Sequence, residues 1–147
     1  MKYTILAEKE VSGESGSKRF AADIVKFFKP GDTILLYGDL GTGKTFLTRV
    51  FTAMLGSKTD VTSPSFSLIN QYDGRIPINH VDLYRIKNPS ELINLGLDEL
   101  LSGSGINFIE WPEIIENHVY WHHYRLYIYA DPVKMKMRRF KFLEYDE

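Results

Sequence analysis

The sequence predicts an α/β fold of three layers, with helices on both faces of a mainly parallel sheet that finishes in antiparallel strands. Three observations carry this expectation. Short apolar runs alternate with stretches of helical periodicity, the pattern of βαβ units. One run, Thr33–Tyr37 (TILLY), is apolar at nearly every position, as a strand covered on both faces must be. Near the C-terminus, Tyr124–Ala130 (YRLYIYA) and Arg138–Tyr145 (RRFKFLEY) are aromatic and β-branched, with DPVKMKM between them, and read as an antiparallel pair.

The remaining elements follow in order. Tyr3–Leu6 reads as a short first strand. A helix follows over SKRFAADIVKFF, with Ser17 as its N-cap and Phe20, Ile24, Phe27 and Phe28 on one face. Pro30-Gly31-Asp32 breaks the chain before Thr33. From Lys44 onward, Phe46, Leu47, Val50, Phe51, Met54 and Leu55 recur at helical spacing, and Gly56 is placed to end that helix. Further strands are expected at Phe66–Tyr72, Ile76–Leu83 and Ile106–Ile109. NPSELINLGLDELL, before the last of these, suits a helix interrupted near Gly96. No internal repeat or linker divides the chain, so residues 1–147 read as one domain.

Composition excludes several classes. A length of 147 residues suits a single core, and 44% hydrophobic with 25% charged residues is ordinary for a globular protein. A net charge of −1 gives no whole-chain field for nucleic acid or membrane. With no cysteine, disulfide frameworks and thiolate metal sites are excluded. The start, MKYTILAEKE, lacks a signal-peptide pattern, and no apolar run approaches the ~18–20 residues of a membrane span. A cytoplasmic location is expected.

The most informative stretch is LLYGDLGTGKT. Its segment Gly38-Asp39-Leu40-Gly41-Thr42-Gly43-Lys44-Thr45 fits G-x-x-x-x-G-K-[ST], the phosphate-binding P-loop. Glycines let the backbone curl until successive N–H groups point into one concavity. The helix that follows adds its N-terminal partial positive charge at the same point. Lys44 is then placed to reach β- and γ-phosphates and Thr45 to ligate Mg²⁺. An apolar strand before the loop and an amphipathic helix after it are the context the motif requires, so the expected fold is P-loop NTPase-like.

Phosphate chemistry also needs acids near Mg²⁺. Asp82 closes the run IPINHVD and Glu110 closes INFIE, and the carboxyl ends of parallel strands are where a sheet delivers such groups. Strand alternation points His80, Asp82 and Tyr84 the same way, with His80 readable as a neighbour of the site or as a satisfied core histidine. His122-His123 reads as strand-edge surface, since no third ligand accompanies it. Thr62–Phe66 (TSPSF) reads either as a turn or as a switch loop sensing the γ-phosphate. Ser57–Asp60 (SKTD) lies too early for a guanine-reading motif, which favours ATP over GTP. Lys134, Lys136, Arg138, Arg139 and Lys141 form a basic cluster. It reads as a solvated hairpin, or as a patch for tRNA, a partner protein or the nucleotide's phosphates.

Four motifs in this order, GDLGTGKT, TSPSF, HVDLYR and EWPE, resemble the TsaE family of P-loop ATPases in bacterial tRNA threonylcarbamoyladenosine biosynthesis. The resemblance spans Ser17 to about Phe142. It implies binding of ATP or ADP with Mg²⁺ by Asp39, Leu40, Gly41, Thr42, Gly43, Lys44, Thr45, Phe46 and Trp111. Metal ligation falls to Thr45, Asp82 and Glu110, and catalysis to Glu110, Asp82 and Lys44. The implied partners are the threonylcarbamoyltransferase subunit and its non-catalytic paralogue, which act on adenosine 37 of tRNAs reading ANN codons. Contact with tRNA would be indirect, or through Lys134–Lys141. Hydrolysis, weak in the chain alone, would reset that complex. Departures from the family pattern are Ser65 for a usual Thr, Thr42 for a usual Ala, Phe46 for a small hydroxyl residue and Ala21 for a Gly.

Two other readings use the same loop. A small-molecule or nucleotide kinase would carry an arginine-rich lid, and Arg85 is the only arginine from Asp82 to Trp111. A binding module whose nucleotide only sets conformation would not need Asp82 and Glu110.

Overall fold

A computed structural model of the chain describes residues 2–61, 64 and 68–146. Within these the elements are β1 (Lys2–Ser12), α1 (Gly13–Val25), β2 (Thr33–Tyr37), α2 (Lys44–Met54), β3 (Ile69–Tyr72) and β4 (Ile78–Asp82). A 3₁₀ helix (Pro89–Leu95) and α3 (Leu97–Leu101) lead into β5 (Ile106–Glu110). Two short 3₁₀ turns, Pro112–Ile114 and Glu116–His118, then precede β6 (His123–Ala130) and β7 (Met137–Asp146).

The apolar run Thr33–Tyr37 is buried at every position because it lies mid-sheet. The strand order is β1-β7-β6-β2-β5-β4-β3. The centre, β6-β2-β5-β4, is parallel, and the flanks are antiparallel on both sides: β6-β7-β1 at one edge and β4-β3 at the other. The expected C-terminal pair is present, and the antiparallel share grows because β1 and β3 join it. Alternation along β2 sends Ile34 and Leu36 to one face and Leu35 and Tyr37 to the other. The first face is covered by α1 and α2 through Phe20, Ile24, Leu47 and Phe51. The second is covered by α3 and the 3₁₀ segments through Leu97, Leu101, Ile115 and Val119. This is the expected three-layer arrangement.

The first helix differs from expectation. Ser17 is not its N-cap; it is buried inside α1. The expected strand Tyr3–Leu6 extends to Ser12 because β1 pairs with β7 along its length. Gly13, at φ +69, turns the chain straight from strand into helix, and its N–H donates to the Lys136 carbonyl at 2.8 Å. Long-range pairing thus moves the helix start back by a turn. The interruption at Gly96 is present, with φ +66, but the part before it is 3₁₀. Of the expected strand Phe66–Tyr72, residues 66 and 67 lie outside the described residues.

The larger core is held by flat aromatic contacts. Phe51 of α2 stacks on Phe108 of β5 with centroids 5.4 Å apart, and Phe28 meets both rings edge-on. Phe51→Ala would empty this position and should lower unfolding free energy by about 3–5 kcal/mol. Ile93→Ala, at a side chain 80% exposed, should change it by less than ~0.5 kcal/mol. Urea titrations of the two variants check the contrast; equal losses would mean that the Phe51–Phe108 stack is not a core contact.

Candidate active site

The loop between β2 and α2 is shaped by close approach. A Cβ on Gly38 would lie 2.6 Å from the Thr42 hydroxyl and 3.0 Å from the Ile128 carbonyl, so the position admits no side chain. Gly43, at φ +107, takes the left-handed conformation that starts α2. Thr42 Oγ1 donates to the Asp39 carbonyl at 2.9 Å and tightens the loop.

Two adjacent parallel strands, β4 and β5, and the first turn of α2 deliver the polar groups. Glu110, at the carboxyl end of β5, is in register with Leu36 of β2 and Asp82 of β4. Thr45 Oγ1 donates to the Glu110 carboxylate, 3.1 Å from each oxygen. His80 Nε2 contacts Glu110 Oε2 from below, and both residues are buried. Asp82 Oδ1 accepts the Tyr84 N–H at 2.9 Å. Lys44 Nζ donates to the carbonyls of Gly38 and Asp39 and lies 3.8 Å from the centroid of Trp111. Trp111, at φ 55, is in the left-handed region, an uncommon conformation for a bulky residue. Its ring also meets Tyr84 at 4.9 Å.

Lys44, Thr45, Asp82, Glu110 and Trp111 all line one open cavity of about 360 Å³, with Asp39, Leu40, Gly41, Gly43 and Phe46 on its loop side. The residues expected from the sequence to hold nucleotide and metal, Thr42 apart, therefore line one loop mouth. Thr42 instead faces the two flanking cavities. His80 is buried and touches the site through Nε2, but it is not a satisfied core histidine: its buried Nδ1 has no hydrogen-bond partner among the described residues. Of TSPSF, only Pro64 lies among the described residues.

A family model described as "Threonylcarbamoyl adenosine biosynthesis protein TsaE" matches residues 11–139. The chain belongs to the TsaE family. It is 45% identical over 101 residues, 68% of this chain, to the tRNA threonylcarbamoyladenosine biosynthesis protein TsaE of Bacillus subtilis; that match spans 63% of the relative's length. The Rickettsia bellii protein of the same name is 42% identical over 73% of this chain and 75% of its own. In fold, the chain is similar to the crystal structure of Bacillus subtilis YdiB, with TM-score 0.76, 30% identity, and 97% of this chain and 87% of that one covered.

Two groups of this TsaE-family site escaped the sequence reading. Arg85 lines the same cavity, three residues past Asp82 in HVDLYR, a cation that the motif alone did not place there. A second cavity of about 570 Å³ flanks the loop on the side of α1, lined by Gly13, Ser17, Thr42, Gly43, Met135 and Arg138. Arg138 Nε donates to the Thr42 carbonyl at 2.9 Å, whereas Arg139 stacks on Tyr129 at 4.4 Å. Successive residues of β7 thus divide the basic cluster between two faces. Strand alternation separates the two side chains, but local spacing does not report that the Arg138 face meets the loop, because the hairpin reaches it only across the sheet. His123 also departs from expectation: it is buried, and its Nδ1 contacts the Trp121 carbonyl at 2.8 Å. Among the described residues no cluster of three or more His, Cys, Asp or Glu is arranged to hold a metal.

Burial dominates the electrostatics. It pushes the Asp82 carboxyl above the usual carboxylate range, with Glu110 adding to the rise and the Tyr84 N–H, His80 and Lys44 opposing it. It also pushes Lys44 below the ordinary lysine value, against the pull of Glu110, Glu113, Asp82 and Asp39. For an acid whose pKa is raised by folding, the ionised form costs stability above that pKa, and the cost disappears as pH falls through it. Asp82→Asn keeps the acceptor for Tyr84 and removes the charge. It should therefore stabilise the protein at neutral pH relative to wild type. The gain over wild type should shrink as pH drops into the carboxylate range; thermal melts across pH measure it, and a loss of stability at pH 7 would contradict the burial penalty.

Proposed function

We propose that this chain binds Mg–ATP at the Lys44 cavity and hydrolyses it, in the service of tRNA threonylcarbamoyladenosine biosynthesis. The observation that carries the reading is the convergence of Lys44, Thr45, Asp82 and Glu110 on one cavity at the carboxyl ends of adjacent strands. The donor set fits Mg²⁺: one hydroxyl and two carboxylates are hard oxygen ligands, and they are too few for an all-protein cage. Mg²⁺ characteristically keeps waters and phosphate oxygens in its shell. Bound there by Thr45, Asp82 and Glu110, it would offset charge on the β- and γ-phosphates.

The chain's own residues do the rest. The loop N–H groups cradle the phosphates, and Lys44 swings from the Gly38 and Asp39 carbonyls onto them, leaving the face of Trp111. Glu110, held by His80, orients the attacking water or accepts its proton. Arg85 supplies positive charge at the mouth. The flanking cavity is of a size that accepts a nucleoside, with the Arg138 guanidinium on its wall. We assign the adenosine half to it, which brings part of the basic hairpin to the nucleotide. Turnover by the isolated chain is slow and rises with the threonylcarbamoyltransferase subunit and its paralogue, the partners that the family suggests.

Calorimetry and single-turnover phosphate release test these roles. Lys44→Ala should weaken ATP and ADP by at least about tenfold with the fold intact, and unchanged affinity would remove the phosphate assignment. Glu110→Gln should keep the nucleotide and lose hydrolysis. Arg138→Ala should weaken ATP and ADP but leave inorganic tripolyphosphate binding unchanged; equal weakening of all three would place Arg138 on the phosphates. Arg85→Ala separates two sources of rate: a fall in the isolated chain's turnover assigns the cation to Arg85, and turnover that changes only in the partners' presence assigns it to them.

A further inference from the structure

The crossover from Asp82 to Glu110 carries a groove of about 310 Å³ on the face away from α1 and α2. Its lining includes Leu92, Ile93, Leu97, Leu101, Val119 and Trp121. Ile93 is 80% exposed, and the 3₁₀ helix that presents it, Pro89–Leu95, has no buried residue. That helix runs for seven residues, where 3₁₀ segments usually stop at ~3–4 because their hydrogen bonds are poorly aligned. A weakly self-stabilised segment that exposes an isoleucine beside a continuous apolar trough is a surface that can adapt to an apolar anchor.

Charge selects the kind of anchor. From Asn88 to Tyr124 the chain has no Lys or Arg, but it has Glu91, Asp98, Glu99, Glu110, Glu113 and Glu116. Glu110 is buried at the candidate site, Glu113 is exposed but lines a different cavity beside Trp111, and Glu116 is engaged by Tyr37 and Arg125. Glu91, Asp98 and Glu99 remain exposed on the two helices that build the groove, and Asp98 and His118 are on its lining. Arg85 and Lys87 lie just ahead of this stretch, at the start of the crossover. Such a surface repels nucleic-acid phosphates and anionic lipid, and it attracts basic side chains.

We propose that this groove docks a basic amphipathic helix from a partner protein. Its aliphatic side chains would seat against Ile93, Leu97 and Trp121, and its Lys or Arg flanks would meet Glu91, Asp98 and Glu99. This goes beyond the nucleotide reading and does not depend on it. One wall of the groove, residues 89–101, belongs to the connection between the strands that end in Asp82 and Glu110, and the other, residues 115–121, follows Glu110, so its occupant contacts the segment that joins the two site acids.

The chain's two tryptophans make the test direct. In the Trp111→Phe variant, Trp121 is the sole tryptophan and reports from the groove. The probe is a designed helix of leucines and lysines without aromatic residues, compared with a leucine–glutamate helix and with a shuffled peptide of the same Leu/Lys composition. The Leu/Lys helix should shift Trp121 emission saturably and bind at least about tenfold tighter than either control. Ile93→Ser and, separately, Asp98→Lys with Glu99→Lys should each weaken it several-fold without altering circular dichroism, since all three side chains are exposed. No saturable shift, equal binding of the leucine–glutamate helix, or indifference to Ile93→Ser would overturn the proposal. Self-association of the wild-type chain that Ile93→Ser abolishes would also overturn it, and would give the groove to a second copy.

Discussion

The buried carboxylate of Glu110 is the constraint around which the rest is arranged. An acid at that depth is tolerated only with partners, because an unpaired buried charge costs several kcal/mol. It has two: the Thr45 hydroxyl from the first turn of α2 and His80 from the neighbouring strand. Through them Glu110 pins α2, and with it the glycine-rich loop that precedes it, to β5 and β4. Loop, helix and two strands are thereby held in one geometry at the sheet's carboxyl edge, where hydrophobic packing alone would set only their approximate spacing.

The electrostatic cost of this arrangement is visible in two opposite shifts with one cause. Burial lifts the Asp82 carboxyl and depresses the Lys44 ammonium, each toward its neutral form. The lysine is partly compensated by two backbone carbonyls and by the face of Trp111, held there by a left-handed backbone just before Pro112. Strain and unfavourable charge concentrated in one place are characteristic of a site kept for binding, and a stability-optimised protein would remove both.

The two faces of the sheet are specialised. Aromatic stacking under α1 and α2 forms the rigid side, with Phe51, Phe108 and Phe140 fully buried. The opposite side is covered by short helices and 3₁₀ turns, and its smaller cluster leaves Ile93 and the surrounding groove open. The antiparallel flank β6-β7-β1 adds a third function, since its hairpin returns Arg138 to the carbonyl of Thr42 and closes a cavity beside the loop.

The sequence by itself determined what local chemistry dictates. The unbroken apolar run of β2, the glycine spacing up to Lys44-Thr45 and the helical period after it are properties of neighbouring residues, and each needed no partner from elsewhere. Asp82 and Glu110 were legible for a related reason: an acid directly after an apolar strand has its place set by the strand. What depended on pairing across the sheet was not legible. The full length of β1 and the start of α1 at Gly13 follow from the ladder with β7, and the burial of His123 from its place at the start of β6. The contact of Arg138 with the Thr42 carbonyl, and the arrival of Arg85 at the cavity, likewise come from how distant segments pack. Tertiary structure decided these because a residue's spacing in the chain states which face of its own element it shares, and only the packed sheet states what stands opposite that face.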